Sequence, residues 1–292
     1  MCDQDHYDDD LKHFLRGKNL TRRDLGTLAA GVSLAMLLPQ VANAVAVTES
    51  DVNIKTPDGT ADAYFVHPSS GAAPGVVVWP DILGLRPAFR AMGKRLAESG
   101  YSVLVVNPFY RGKKAPVVAE GASFGDPAVR DAVTQLARAL NPTTHVTDAK
   151  AFVGWLDQQA AVDKRKKIGT TGYCMGGPMV MRTAGAVPER VGAAATFHGG
   201  GLVSKDENNP AALIPQMKAQ FLIAIADNDD MRDPEAKNVL RAEFDKAKLP
   251  AEIEVYKGSQ HGWCPPDSQV YDKEAAEKAW SRLLVLFGKA LA

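Results

Sequence analysis

A cysteine between glycines is the residue of this sequence that most suggests chemistry. Cys174 lies in TTGYCMGG, with Gly172 two residues before it and Gly176 two residues after it. This spacing is typical of a nucleophile elbow, where the turn from strand to helix is too sharp for side chains beside the nucleophile. Amides at the helix N-terminus would favour a thiolate. The motif alone is also compatible with a buried structural cysteine, because cysteine is among the most buried residue types.

An acid and a base follow later in the chain. The strand-like run that begins at Gln220 is followed by several aspartates, and the run that begins at Ala251 is followed by His261. Nucleophile, acid and histidine, each after a strand, is the order found in α/β-hydrolases. His261 is therefore predicted to take the thiol proton, and an aspartate to orient its ring. Asp229 is the predicted acid, with Asp230 as the close alternative.

A nucleophile of this kind also needs an oxyanion hole made of two backbone amides. Met175 directly follows the cysteine and is predicted to supply the first amide. The loop after the apolar run that begins at Gly75 should supply the second, and Ile82 is its predicted source. Asp81 in the same loop would then lie near the thiol.

The elements that must position these residues alternate along the chain. Segments with apolar residues three and four apart are predicted helices, at 88–99, 148–159, 175–186, 235–248 and 271–291. Between them lie short apolar runs rich in β-branched residues, typical of strands covered on both faces, which begin at Ala61, Gly75, Tyr101, Lys167, Val191, Gln220 and Ala251. The alternation predicts one α/β domain over residues 45–292, with a mostly parallel sheet, helices on both faces and an antiparallel hairpin at one edge.

The composition indicates which partners to expect, and the N-terminal segment indicates where the protein is located. The 292 residues include 34 basic and 34 acidic side chains, so the net charge of zero gives no reason to expect nucleic acid or an anionic membrane as partner. Residues 1–44 contain Arg22 and Arg23, an apolar stretch and a small-x-small site that ends at Ala44. This order predicts a twin-arginine export signal and a periplasmic or secreted protein. The apolar stretch is shorter than the roughly 20 residues of a spanning helix.

Together these motifs resemble the dienelactone hydrolase family of α/β-hydrolases. The likeness covers most of the chain beyond residue 50 and rests on GYCMGG, WPDILGLRP, the acidic loop, YKGSQHGW and residues 271–287. It implies a Cys-His-Asp triad of Cys174, His261 and Asp229, which cleaves a small ester or lactone through a thioester without a metal or organic cofactor. It also implies that Asp81 stands where the family usually has a glutamate that interacts with the resting thiol.

The resemblance leaves the substrate open. Members that cleave muconate lactones bind the substrate carboxylate with arginines, one of them shortly after the catalytic histidine, and this sequence has no arginine there. A dienelactone is therefore not the expected substrate. Arg111 is either an anion anchor or a solvated surface residue. His198 ends a strand and either lines the pocket or is a packed, hydrogen-bonded histidine.

Two other functions fit the same sequence. A broad-specificity carboxylesterase would differ only in the shape of its pocket. A non-catalytic periplasmic binding or redox-responsive protein would keep the fold without turnover. Cys264 lies three residues after His261, and on oxidation it could pair with Cys174 and silence the enzyme; otherwise it is a bystander thiol.

Overall fold

The computed structural model describes residues 38–206 and 208–292, so residues 1–37 of the predicted export signal lie outside the described residues. Eight strands form one sheet, in the order β1-β2-β4-β3-β5-β6-β7-β8. β1 pairs antiparallel with β2 and β2 antiparallel with β4, whereas all other pairs are parallel. The strands are β1 Val47–Thr56, β2 Gly59–Pro68, β3 Gly75–Trp79, β4 Ser102–Val106, β5 Ile168–Tyr173, β6 Val191–Phe197, β7 Gln220–Ala226 and β8 Ala251–Tyr256.

Seven helices are described, together with a 3-10 helix at Pro210–Gln216. The predicted helices at 88–99, 175–186, 235–248 and 271–291 are present within a few residues of their predicted ends. The helix predicted at 148–159 begins earlier, because Asn141 caps it through a capping box. The helices are α1 Pro87–Glu98, α2 Pro127–Ala137, α3 Pro142–Leu156, α4 Gly176–Ala186, α5 Asp227–Arg232, α6 Ala236–Ala247 and α7 Lys273–Ala290.

Helices cover both faces of the sheet, as the continuously apolar strands predict. All residues of β3, β4 and β5 are buried. On one face, α3, α4 and α6 contribute Phe152, Val180 and Phe244 to the core. On the other face, α1 and α7 contribute Phe89 and Phe287. None of the helices in the described part of the chain is long and apolar enough to cross a membrane.

The parallel strands bring their following loops to one edge of the sheet. β3 leads to Asp81, β5 to Cys174, β6 to His198, β7 to Asp229 and β8 to His261. Ligands of open α/β sheets bind at this carboxyl edge. The edge is therefore the place to examine for a site.

Candidate active site

Cys174 lies on a sharp turn between β5 and α4. Its φ of 52° is in the left-handed region, and its amide donates to the carbonyl of Phe197 on β6 at 3.0 Å. A Cβ atom added at Gly172 would lie 2.4 Å from the carbonyl oxygen of Gly176, and one added at Gly176 would lie 2.3 Å from that of Trp79. The turn therefore excludes any side chain at either flanking position.

His261 and Asp229 meet at the same edge of the sheet. Asp229 lies in α5, which begins directly after β7, and His261 lies in the loop after β8. His261 Nδ1 is 2.7 Å from Asp229 Oδ2, and the backbone amide of His261 donates to Asn228 Oδ1 at 2.8 Å. Two adjacent residues of α5 thus hold both the ring and its backbone. A histidine bonded to a carboxylate through Nδ1 exchanges protons through Nε2.

Asp230, the alternative acid, has other partners. Its carboxylate pairs with Lys237, and its second oxygen lies 3.8 Å from the ammonium of Lys257. Because α5 is helical, adjacent side chains leave it about 100° apart. Asp229 rather than Asp230 is therefore the carboxylate in contact with His261.

One cavity contains both the thiol and the imidazole. It holds about 740 Å³ of space between atoms, part of it open to solvent. Cys174, His198 and His261 line it together with Asp81 and Ile82. The rest of its wall comes from Leu83, Arg86, Gly121, Ala122, Ser123, Phe124, Gly262, Asp267, Ser268 and Gln269.

The two segments predicted to form an oxyanion hole adjoin each other. Met175 is the residue before α4, with φ −53° and ψ −31°. Ile82 lies in the loop between β3 and α1 and lines the cavity. The first residue of α4, Gly176, lies close against the carbonyl of Trp79 at the end of β3. The elbow and the early loop are therefore packed directly together.

Arg86 is held between two carboxylates in the cavity wall. Its Nη1 and Nη2 donate to Asp81 at 2.6 and 3.0 Å, and its Nε and Nη2 donate to Asp267 at 2.6 and 3.0 Å. The amide of Leu83 also donates to Asp81, at 2.9 Å. Burial alone would lower the pKa of Arg86, but the two carboxylates outweigh it and raise that pKa. Asp81 thus lines the cavity with both of its oxygens bound to Arg86.

His198 lines the cavity as a neutral, buried ring. It is 1% exposed and lies edge-on to His261 and Trp263, with ring centroids 5.1 and 5.0 Å apart. Neither ring nitrogen has a hydrogen-bond partner among the described residues. Burial, and then the neighbouring His261, hold the pKa of His198 well below its ordinary value. His198 therefore lines the cavity and is also packed against two neighbouring rings.

Most of the chain has relatives among known proteins. A sequence model of the dienelactone hydrolase family matches residues 61–291. The chain belongs to the dienelactone hydrolase family. The family resemblance and the α/β-hydrolase fold predicted from the sequence are thereby confirmed, and the chain is a hydrolase of the dienelactone hydrolase type.

Individual relatives share most of their length with this chain. A carboxymethylenebutenolidase from Rhodococcus opacus is 28% identical over 252 residues, which cover 81% of this chain and 90% of that protein. A protein named as a probable 2-oxo-3-(5-oxofuran-2-ylidene)propanoate lactonase from Bradyrhizobium is 26% identical over 242 residues, with 80% and 91% covered. The crystal structure of a dienelactone hydrolase-like promiscuous phosphotriesterase from metagenomic libraries has a TM-score of 0.70 at 22% identity and covers 85% of this chain and 100% of its own, which shows a shared fold.

Arg111 lies outside the cavity of this family member. Its guanidinium donates to the buried Asp148 at 2.8 and 2.7 Å and to Asp58 at 2.6 Å. It also lies 4.6 Å from the ring centroid of Tyr110. Arg111 is therefore neither an anion anchor in the cavity nor a solvated surface residue. Its ion pairs instead join the loop after β4 to α3 and to the β1–β2 hairpin.

Cys264 lies in the apolar cluster between the sheet and α7. It lines a small cavity with Tyr173, Phe197 and Trp280, and no disulfide joins it to Cys174. Burial holds the pKa of the Cys264 thiol well above its ordinary value of 9.0. Because the thiolate is the reactive form, Cys264 is an inert thiol at neutral pH.

Three residues of the site were not singled out from the sequence. Arg86 and Asp267 form the ion-paired wall, and Asn228 holds the backbone of His261. Asn228 directly precedes the predicted acid, so a helix after β7 would have indicated it. No local pattern indicates the pairing of Arg86 with Asp267. Within the described residues, no three His, Cys, Asp or Glu side chains are grouped to hold a metal ion.

Proposed function

We propose that this chain hydrolyses a small ester or lactone through a cysteine acyl-enzyme, with Cys174 as nucleophile, His261 as base and Asp229 as the orienting acid. The observation that carries the proposal is the 2.7 Å contact between His261 Nδ1 and Asp229 Oδ2, beside a cavity that His261 and Cys174 both line. The order of the three residues is that of α/β-hydrolases. Membership of the dienelactone hydrolase family supports the same class of reaction.

Each step of the proposed reaction uses one group of this site. The sulfur of Cys174 attacks the substrate carbonyl, a C–S bond forms, and the thiol proton passes to His261 Nε2. The C–O bond to the leaving group then breaks, and His261 returns the proton to that oxygen. Water, deprotonated by the same imidazole, cleaves the thioester and releases the acid. With a lactone the leaving oxygen stays attached to the acyl chain, so the product is one hydroxy acid.

Charge develops at two places in this reaction, and the proposal assigns groups to each. Asp229 keeps Nδ1 protonated and offsets the charge of the imidazolium. The amides of Met175 and Ile82 donate to the oxyanion, and the N-terminus of α4 places partial positive charge near the sulfur. Gating of the thiol by Asp81 would require its ion pair with Arg86 to open. Asp81 therefore acts in our proposal as part of the cavity wall.

The proposal is tested by hydrolysis of p-nitrophenyl acetate and simple lactones. We expect turnover by the wild-type protein and a loss of about 10³-fold or more in kcat for Cys174→Ala and for His261→Ala. Cys264→Ala is the matched control and should keep turnover within about twofold, because Cys264 lies outside the cavity. Turnover that survives Cys174→Ala would contradict the proposal. A quenched reaction should also yield a Cys174 peptide heavier by one acyl group.

We also propose, from the sequence alone, that residues 1–44 export the protein by the twin-arginine route. Arg22 and Arg23 stand before an apolar stretch that ends in the site at Ala44. Replacement of both arginines by lysine should retain the charge and keep the protein in the cytoplasm. Cell fractionation of wild type and variant would measure this, and export of the double-lysine variant would contradict it.

A further inference from the structure

The charged residues of the cavity wall are one guanidinium and two carboxylates. Among the described residues that line the cavity, these are Arg86, Asp81 and Asp267, with a formal charge of −1. The side chain of Arg86 is 7% exposed, and those of the two acids are 12% and 25% exposed. Solvent therefore screens these charges only in part. A substrate with its own carboxylate meets a wall of the same sign.

Arg86 has no N–H group left for such a substrate. A guanidinium has five N–H donors. Four are used by Asp81 and Asp267 at 2.6–3.0 Å, and the fifth by the carbonyl of Gly84 at 3.3 Å. One flat side of the group faces the ring of Phe89, with 5.0 Å to the centroid. A substrate carboxylate would have to displace a partner and would break a charge-assisted hydrogen bond.

The other basic side chains near the site offer no replacement. His198 is buried and neutral at pH 7, because burial and the adjacent His261 hold its pKa well below 6.5. His261 is already paired with Asp229. Arg111 is bound to carboxylates outside the cavity, and Arg232, which lies 3.7 Å from Asp229, does not line the cavity. The described residues that line the cavity thus offer uncharged polar groups but no cation available for an anionic substituent.

We propose that this cavity selects uncharged esters or lactones over those that carry a carboxylate. The inference rests on the proposed function, since it names the substrate class of the same site. Arg86 links the loop after β3 to the loop after β8 and does not serve as an anion anchor. Uncharged side chains of the wall, including Ser123, Ser268 and Gln269, are left to hydrogen-bond the substrate.

The first test compares two ligands of nearly the same shape. A carboxymethylene butenolide and its primary carboxamide are titrated into the full chain carrying Cys174→Ala, and calorimetry measures both Kd values. We expect the carboxamide to bind at least tenfold more tightly. Equal or tighter binding of the carboxylate, or no binding of the carboxamide, overturns the proposal. Because this measurement needs no turnover, failure of the proposed function is seen separately, as absence of hydrolysis by the wild type.

The second test changes the charge of the wall. Asp267→Asn removes one carboxylate and weakens the hold on Arg86, so the preference for the carboxamide should fall at least tenfold. Asp51→Asn on β1 is the matched control: it makes the same change in net charge at a side chain that is 74% exposed. Its preference should stay within twofold of the starting value. Asp81→Asn replaces Asp267→Asn if thermal unfolding shows that the latter is misfolded. An unchanged preference in the cavity variant, or an equal change in Asp51→Asn, overturns the proposal.

Discussion

Asp229 and Asp230 are adjacent in sequence, but their side chains leave α5 in different directions and therefore contact different groups. Asp229 contacts the imidazole of His261, whereas Asp230 pairs with Lys237. Replacement of either by asparagine removes one negative charge from the same helix. Only the change at Asp229 also alters the group that orients the imidazole. The two residues are therefore a matched pair that separates orientation of the base from local charge.

We predict that Asp229→Asn lowers kcat for p-nitrophenyl acetate by about 10³–10⁴-fold, because an amide can donate to Nδ1 and favour the wrong tautomer. Asp230→Asn should change kcat by less than about fivefold. Steady-state kinetics of the two variants at one pH measure the difference. Equal losses would show that charge near α5, rather than contact with His261, carries the effect.

The sequence allowed the thiol and the base to be predicted at single positions, but not the acid. Cys174 is the one cysteine that directly follows a strand, and His261 is preferred over His198 because it comes after the aspartates in the chain. Four aspartates follow β7 within Asp227–Asp233, and the sequence does not show in which direction each carboxylate points. The direction depends on the onset of α5 directly at Asp227. The sequence does not reveal this onset, because five of the six residues of α5 are polar and the helix has no apolar periodicity.

At the scale of elements, the elbow depends on close contact between the start of α4 and the end of β3. A Cβ at Gly176 would lie 2.3 Å from the Trp79 carbonyl oxygen, and this backbone atom cannot move without disturbing the central sheet. By contrast, a Cβ at Gly154 in α3 would meet no atom within 4 Å. The same substitution therefore has opposite consequences in the two helices.

We predict that Gly176→Ala lowers the free energy of unfolding by at least about 2 kcal/mol through overpacking. Gly154→Ala should raise it by about 0.5–1 kcal/mol, because alanine loses less backbone entropy in a helix. Urea unfolding followed by circular dichroism measures both. A Gly176→Ala protein as stable as the wild type would contradict the contact described at the elbow.

Most elements could be predicted from their apolar patterns. Seven strands and five helices carry such a pattern, whereas β1 has Ile54 as its one buried residue and is predicted only as part of the edge hairpin. α2 is absent from the predicted helices although its Val129, Val133 and Leu136 recur at helical spacing; only Arg130 and Val133 of this helix are buried. The 3-10 helix Pro210–Gln216 contains two prolines and lacks a helical pattern, so its sequence does not predict it.

At the scale of the whole molecule, buried neutral histidines couple stability to pH. Burial, and then Arg182 and Arg111, lower the pKa of His145 from 6.5 to about 3. His198 is also buried and neutral. Between pH 6.5 and the lowered pKa of each histidine, the unfolded chain binds a proton that the folded chain does not. The stability is therefore complete above pH 6.5 and is lost as the pH falls towards the folded pKa.

We predict that the free energy of unfolding of the wild type falls, from pH 8 to pH 5, by about 2 kcal/mol more than that of His145→Gln. Glutamine has a similar size and no proton to gain on unfolding in this range. Urea unfolding at both pH values gives the four free energies needed. Parallel pH dependences of the two proteins would mean that His145 is protonated in the folded state.

Contacts between distant parts of the chain were beyond prediction at this scale. Arg86 and Asp267 are 181 residues apart in sequence, and the residues next to each of them in sequence do not indicate that the two pair. Strand alternation predicts a parallel sheet but not that β4 lies between β2 and β3. Both facts are set by the three-dimensional arrangement of the strands.

The burial of Cys264 has a practical consequence for anyone who prepares this protein. Once residues 1–44 are removed, the chain holds two thiols, and one of them is shielded against alkylation by its apolar surroundings and raised pKa. Iodoacetamide at neutral pH should add one adduct per chain, at Cys174, and intact mass would count the chains that carry it. Specific activity could then be expressed per competent molecule rather than per milligram. A second adduct would report unfolded material in the sample.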